Sequence, residues 1–136
     1  MQFQVPDQAT ILEIHEIILE YYGGLKGMLH PEMLESAVHR PNNYMAYDNR
    51  CDIHLITALM LESVATYHIF SDGNKRTALV TMLMTYRMNG INLSFDLMTN
   101  KRLERLVLSV ADDDYSLTVR QLRTKLRRLI TSLQPV

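Results

Sequence analysis

The sequence predicts an all-α fold, a small bundle of about six helices. Apolar residues recur at three- and four-residue spacing along most of the 136 residues, as they do on one face of a helix. Proline and glycine divide these stretches at intervals typical of helix ends. Two consecutive stretches are apolar on nearly every face, as expected of helices at the centre of a domain. The length suits one domain, which we expect to span residues 1–136.

The first two helices are predicted from an apolar stripe and from the positions of proline and glycine. Residues 7–22 carry the stripe, and two glycines follow them as a stop signal. Pro31 suits the first turn of a second, short helix, which the Arg40–Pro41 pair is expected to end. Residues 41–50 contain a proline, three asparagines and no apolar period. We expect them to form an exposed loop or flap, which either docks a protein substrate or is an ordinary mobile loop.

The two central helices come next along the chain. Residues 52–67 and residues 74 or 75 to 89 are apolar almost all round, so both are expected to be buried. Asp52 can cap the first of them, and Asn89–Gly90 can end the second. After a short irregular segment, two amphipathic helices complete the set of about six: residues 99–111 and 116–133.

Composition excludes several classes of function. The 14 lysines and arginines against 15 acidic residues leave a net charge of -1, so direct binding of nucleic acid is not expected. Five cations within residues 120–128 are interpreted as a solvated helix face. No apolar run has the length of a membrane span, and no membrane association is expected. The single cysteine, Cys51, and the lack of a leader sequence at the start predict a cytoplasmic protein.

The stretch between the central helices, HIFSDGNKRTA at residues 68–78, is polar where its neighbours are apolar. Gly73 can adopt backbone angles closed to other residues, so consecutive N–H groups can face one concavity at the positive end of the next helix. Lys75 and Arg76 lie in the first turn, which the helix dipole makes unfavourable for cations unless an anion lies between. The stretch therefore predicts a phosphate site.

Two further side chains predict what the site does with phosphate. Asp72 would repel a bare phosphate, but Mg²⁺ on a phosphate needs a carboxylate as its protein ligand. His68 can take a proton from a hydroxyl near neutral pH and so activate it for attack. Taken singly, His68 is more often a structural residue, and the other residues fit an ordinary turn and a solvated helix start. Their conjunction within nine residues favours phosphate chemistry.

The stretch resembles the signature of the Fic/Doc family, H-[PI]-F-x-[DE]-[GA]-N-[GK]-R, and Lys75 with the following Thr-Ala resembles the Doc (death-on-curing) branch. Weaker similarities are the LESAVHRP segment at residues 34–41 and the N-G-x-x-L ending at residues 89–93. The resemblance implies a small all-α bundle in which two central helices bracket the signature. It also implies a role for each residue: His68 as general base, Phe70 as loop anchor, Asp72 as Mg²⁺ ligand, and Gly73, Asn74, Lys75 and Arg76 as phosphate-binding residues.

Two departures from the wider family bear on the reaction. Family members that transfer AMP resemble one another in a glycine where this chain has Lys75, and in a second arginine where it has Leu79. Both changes alter phosphate binding. The Doc pattern implies ATP bound in the reverse sense, with the γ-phosphate passed to a threonine of elongation factor Tu and translation arrested. The alternatives are an adenylyl or other nucleotidyl transferase and a catalytically idle module that only binds.

The resemblance also bears on regulation. Many Fic proteins resemble one another in an inhibitory [ST]-x-x-x-E-[GN] helix, but here no serine or threonine is followed four residues later by glutamate. Inhibition within the chain by that element is therefore not expected. The resemblance implies instead the toxin of a toxin–antitoxin pair, neutralised by a separate Phd-like antitoxin whose disordered tail folds on binding.

Overall fold

The computed structural model describes residues 2–134, so the first residue and the last two of the predicted domain, 1–136, lie outside the description. The all-α prediction is confirmed: within residues 2–134 the chain forms six α-helices and one 3-10 turn, and its extended pairing is an isolated bridge. The helices are α1 (Gln8–Tyr22), α2 (Pro31–Tyr47), α3 (Ile53–Thr66), α4 (Asn74–Met88), α5 (Lys101–Ala111) and α6 (Val119–Leu133).

Helix α3 is the centre of the bundle. Every residue from Leu55 to Leu61 is buried, and the helix packs against α2, α4, α5 and α6. It begins at the predicted cap, where the Asp52 carboxylate accepts a hydrogen bond from Leu55 N–H at 2.8 Å. Helix α4 is its main partner and is likewise buried over most of its length, with Tyr86 fully enclosed. The two most apolar segments therefore bracket the polar stretch, as the sequence predicts. Among residues 2–134, no helix combines the length and apolar character needed to cross a membrane.

Helix α2 differs from the prediction. It continues through Pro41 to Tyr47, so the predicted helix end at Arg40–Pro41 is wrong, and the loop predicted at residues 41–50 is confined to residues 48–50. Proline inside a helix costs about 3 kcal/mol. Burial of Pro41 and of Met45, which packs on Leu55 and Ile56 of α3, offsets that cost, since burying one such side chain contributes about 1.5–3 kcal/mol.

The position of that segment also bears on the idea of a docking flap. Residues 48–52 precede α3, whereas the polar stretch follows its end at Thr66. Fourteen residues of helix span roughly 21 Å, so the segment and the polar stretch lie at opposite ends of α3. Residues 48–50 therefore lie away from the signature residues.

The last two helices begin later than predicted because other residues cap them. Asn100 caps α5 through hydrogen bonds from the N–H groups of Arg102 and Leu103, after a 3-10 turn (Phe95–Thr99). Thr118 and Gln121 form a capping box at the start of α6. Each side chain satisfies backbone donors that would otherwise lack partners, so the helix starts there.

Two of the five cations of α6 have structural partners. Arg123 pairs with Asp52, and Arg120 pairs with Asp48 at 2.6 Å. Partial burial opposes ionisation of Asp52, but hydrogen bonds from Arg123 and from Leu55 N–H outweigh it and hold the pKa of that carboxyl below its ordinary value. These ion pairs connect α6 to the residues at the start of α3. Arg120 and Arg123 are therefore not free to bind an anionic partner.

Candidate active site

The motif loop, residues 67–73, connects α3 to α4. After the last helical residue, His68 takes a left-handed backbone conformation with φ 52. Helices commonly end on such a residue, but it is usually glycine, and the conformation costs other residues about 1–2 kcal/mol. His68 is exposed. A histidine is thus held where helix geometry alone favours glycine, which is typical of functional positions.

Phe70 lies beneath the loop and is 1% exposed. It packs in an apolar cluster with Ile11, Leu34 and Met60, and its ring stacks on His15 of α1 with centroids 3.7 Å apart and planes 6° apart. Two residues further on, the carbonyl of Asp72 is 2.8 Å from Nε2 of His15. The loop is therefore attached to α1 as well as to the two helices it connects.

The side chain of Asn74 closes the loop on itself. Its Oδ1 accepts a hydrogen bond from Phe70 N–H at 3.1 Å, and its Nδ2 donates to the Phe70 carbonyl at 2.8 Å. The role of Asn74 in binding phosphate stays a prediction. In this arrangement its amide holds the loop, and its backbone N–H is one of the first-turn donors of α4 that have no intrahelical acceptor.

The start of α4 forms a concavity that we call the cradle, residues 71–76. Gly73 has φ 81, and no side chain caps the helix there. Lys75 and Arg76 are exposed in its first turn, which holds no acidic residue. The guanidinium of Arg76 lies over the Tyr22 ring, 4.1 Å from its centroid. The uncapped helix end and the two cations make the cradle suited to an anion.

Asp72 stands at the edge of the cradle. One carboxylate oxygen accepts a hydrogen bond from Gly73 N–H at 2.9 Å, and the other accepts one from Leu25 N–H at 3.2 Å. In the part of the chain described, no three His, Cys, Asp or Glu side chains gather as a metal site. A single exposed carboxylate beside a phosphate site suits Mg²⁺, which takes one or two protein carboxylates and fills its remaining positions with phosphate oxygens and water.

A segment that the sequence analysis missed lies against the loop. In residues 23–30, which we call the wall segment, Met28 forms an antiparallel bridge with Phe70. Leu29 N–H donates to the Ile69 carbonyl at 2.8 Å, and Ser71 N–H donates to the Gly27 carbonyl at 3.1 Å. Three glycines within five residues were the available signal, because such a segment can approach another backbone closely.

Two grooves flank the motif loop. The basic groove, of about 430 Å³, runs from the cradle toward α5 and is lined by Tyr22, Lys75, Arg76, Leu79, Met98, Thr99, Lys101, Glu104, Val107 and Leu108. The polar groove, of about 420 Å³, contains His68 and is lined by Glu62, Thr66, Val110, Ala111, Asp112, Asp113, Tyr115, Ser116 and Leu117. The structure thus gathers Asp72, Gly73, Asn74, Lys75 and Arg76 in one concavity and places His68, on the same loop, in a separate groove.

The base of the polar groove is a hydrogen-bonded network. Oε1 of Glu62 accepts from Arg40 at 2.6 Å, and its Oε2 accepts from the Tyr115 hydroxyl at 2.6 Å. Burial raises the pKa of the Tyr115 phenol, and its hydrogen bond to Glu62 raises it further. Tyr115 therefore stays a neutral donor, and the network holds Glu62 and Tyr115, two of the residues that line the groove with His68.

Comparison with known proteins identifies similar sequences. The family model described as Fic/DOC family matches residues 6–86, which span α1 to α4 and the motif loop. The chain is also 34% identical over 124 residues to the "Protein kinase doc" of Escherichia phage P1, covering 91% of this chain and 94% of the relative. The matched region contains every residue of the cradle and the wall segment.

Proposed function

The chain belongs to the Fic/Doc family, and on that basis we propose that it is a Doc-type toxin acting as an ATP- and Mg²⁺-dependent protein kinase. The observation that carries the proposal is the cradle, an uncapped helix start with two first-turn cations and a carboxylate at its edge, preceded on the same loop by an exposed histidine. The similar phage protein, named as a protein kinase, supports the same reaction class.

The two grooves suggest where each substrate binds. The phosphates of ATP bind in the cradle, to its N–H groups and to Lys75 and Arg76. The positive charge of the two side chains and the N-terminal end of α4 both favour an anion there. The basic groove continues from the cradle over apolar side chains, including Leu79 and Val107, and can take the nucleoside. The polar groove receives the hydroxyl of the protein substrate beside His68.

The transfer is a displacement at phosphorus. As the hydroxyl oxygen bonds to the γ-phosphorus, His68 accepts the hydroxyl proton, and the bond from the γ-phosphorus to the bridging oxygen of the departing ADP breaks. Lys75 and Arg76 stabilise negative charge on the phosphate oxygens. Mg²⁺, held by Asp72, supplies further neutralisation when bound.

Two side chains favour γ-phosphate transfer over AMP transfer. Lys75 occupies the position at which the family members that transfer AMP have glycine. Leu79, where those members have a second arginine, is only 5% exposed and offers no donor to a phosphate. We infer that the reactive phosphate is the terminal one, and that the product is a phosphorylated serine or threonine hydroxyl.

The finer parts of the proposal concern partners. Within residues 2–134 no carboxylate pairs with Arg76, whose guanidinium lies over the Tyr22 ring. This supports neutralisation by a separate, Phd-like antitoxin over inhibition within the chain. The protein target proposed from the family is elongation factor Tu, modified on a threonine in the cytoplasm, with translation arrested as the outcome.

Radiolabelled nucleotides test the reaction. The protein is incubated with Mg²⁺, a cell extract and ATP labelled at either the γ- or the α-phosphate, beside a His68→Asn variant. The proposal expects label in protein from γ-labelled ATP alone and none with the variant. Label from α-labelled ATP would favour a nucleotidyl transferase. Bound nucleotide without transfer from either would favour an idle binding module.

A further inference from the structure

His15 of α1 contacts the motif loop from outside the signature. It is 6% exposed, and it touches the loop at two points: its ring stacks on Phe70, and its Nε2 is 2.8 Å from the carbonyl oxygen of Asp72. A carbonyl only accepts, so Nε2 carries the proton and donates it. A Cβ atom at Gly73 would lie 3.6 Å from Cδ2 of His15, so the ring lies directly against the start of the cradle.

The hydrogen bond determines which way one peptide group faces. The peptide joining Asp72 to Gly73 is planar and trans, so its carbonyl and its N–H point in opposite directions. With the carbonyl turned toward α1 and His15, the Gly73 N–H is turned to the opposite side, where it lies 2.9 Å from Oδ1 of Asp72 at the edge of the cradle.

The opposite orientation would damage the cradle. Gly73 is the residue at which the chain is most able to turn, because glycine tolerates both signs of φ. If the peptide rotated, the partially negative carbonyl oxygen would face the phosphates, and the Asp72 carboxylate at the edge of the cradle would lose the N–H donor of Gly73. The imidazole donor on α1 opposes that rotation.

We propose that His15 is a positioning residue that holds the 72–73 peptide with its N–H toward the cradle, and thereby sets the affinity for the triphosphate of ATP. The choice of ATP as the ligand rests on the proposed function, whereas the orientation of the 72–73 peptide does not. The competing explanation is that His15 only packs against Phe70.

Two substitutions separate these explanations. His15→Phe keeps a buried ring against Phe70 but cannot donate to the Asp72 carbonyl. His15→Gln loses the ring but keeps an N–H donor at a similar reach. If His15 only packs, the phenylalanine variant resembles the parent and the glutamine variant is the weaker one. If His15 positions the peptide, His15→Phe binds ATP more weakly than His15→Gln does.

The test combines NMR with ATP titration of the full chain. In the parent, ring ¹⁵N shifts are expected to report the Nε2–H tautomer of His15. In His15→Phe, the Gly73 amide resonance is expected to move, and ATP affinity at fixed Mg²⁺ to fall about tenfold, the size of one lost net hydrogen bond. His15→Gln is expected to restore most of that affinity even if its melting temperature is lower.

Different results would contradict the positioning role of His15 and the proposed kinase function. An Nδ1–H tautomer in the parent, or parental ATP affinity in a folded His15→Phe protein, would overturn the positioning role. Absence of ATP binding by the parent, with the Nε2–H tautomer and the Gly73 shift as expected, would overturn the kinase proposal and the triphosphate as ligand, while the peptide orientation would stand.

Discussion

Gly24 of the wall segment and Asp72 of the cradle are so close that a Cβ atom at Gly24 would lie 2.7 Å from Oδ2 of Asp72. That distance is well inside van der Waals contact, and the φ of Gly24, +123, is one that other residues rarely adopt. The wall segment can therefore reach the carboxylate and donate the Leu25 N–H to it only because residue 24 has no side chain.

Gly24→Ala is expected to displace the Asp72 carboxylate and raise the Mg²⁺ concentration needed for transfer several-fold. Gly23→Ala is the matched control, since Gly23 also has positive φ, +76, but its Cβ would meet nothing within 4 Å. Both variants should lose about 1–2 kcal/mol of unfolding free energy from backbone strain. A Mg²⁺ titration of activity distinguishes them, and an equal shift in both would show that the approach to Asp72 has no role in metal binding.

His68→Asn is expected to abolish transfer without loss of stability. Asparagine tolerates the left-handed backbone of residue 68 better than most residues, but it cannot accept the proton of the substrate hydroxyl. The rate should fall by about 10²–10⁴-fold, the usual contribution of a general base, while ATP affinity is kept. His39→Asn makes the same change at an exposed histidine of α2, outside the motif loop and the cradle, and serves as the control. A His68→Asn protein that still transfers phosphate would remove His68 from the chemistry.

Lys75→Gly is expected to weaken phosphotransfer by about tenfold, because a charged hydrogen bond to phosphate is lost, and to increase transfer of AMP relative to phosphate. Lys101→Gly makes the same change in the first turn of α5, on the other side of the basic groove. The two rates and the two products are compared by mass spectrometry. Equal effects of both substitutions would mean that general charge in the groove, and not Lys75, determines the reaction.

Met45→Ala tests the extension of α2 past Pro41. Met45 is 9% exposed and packs on α3, so its truncation should lower the free energy of unfolding by about 2–4 kcal/mol. Tyr47→Ala, two residues on and 91% exposed, should change it little. Chemical denaturation measures both, and a negligible loss for Met45→Ala would indicate that residues 41–47 are not packed as a helix.

His54 is expected to make stability depend on pH. Burial lowers the pKa of His54, which shares a 2.8 Å hydrogen bond with the Tyr86 hydroxyl. Asp52 raises that pKa, while Arg123 and Arg127 lower it further. The unfolded chain, with a histidine pKa of about 6.5, then binds a proton more readily than the fold, so the free energy of unfolding falls as pH drops below about 6.5.

His54→Gln should flatten that fall between about pH 5 and 7, where the unfolded histidine gains its proton. His39→Gln, on the exposed side of α2, should leave it unchanged. Thermal melts across this pH range measure the slope. If parent and His54→Gln have the same slope, burial of His54 does not couple protonation to folding.

Local patterns in the sequence predicted the helices well, because apolar spacing reports directly which face of a helix is buried. The end of α2 was predicted wrongly, since the rule for proline does not include the burial that Met45 gains on α3. The contacts of His15 and of the wall segment could not be predicted. His15 and the Asp72 carbonyl are separated by 57 residues, and only the packing of α1 against the loop brings them together.

The central claim is tested most directly by intact-protein mass spectrometry of elongation factor Tu after incubation with this protein, ATP and Mg²⁺, beside the His68→Asn variant. The account predicts a mass increase of one phosphoryl group on the factor, absent with the variant. An increase of one AMP would contradict the proposed reaction, and an unchanged mass would contradict the proposed target.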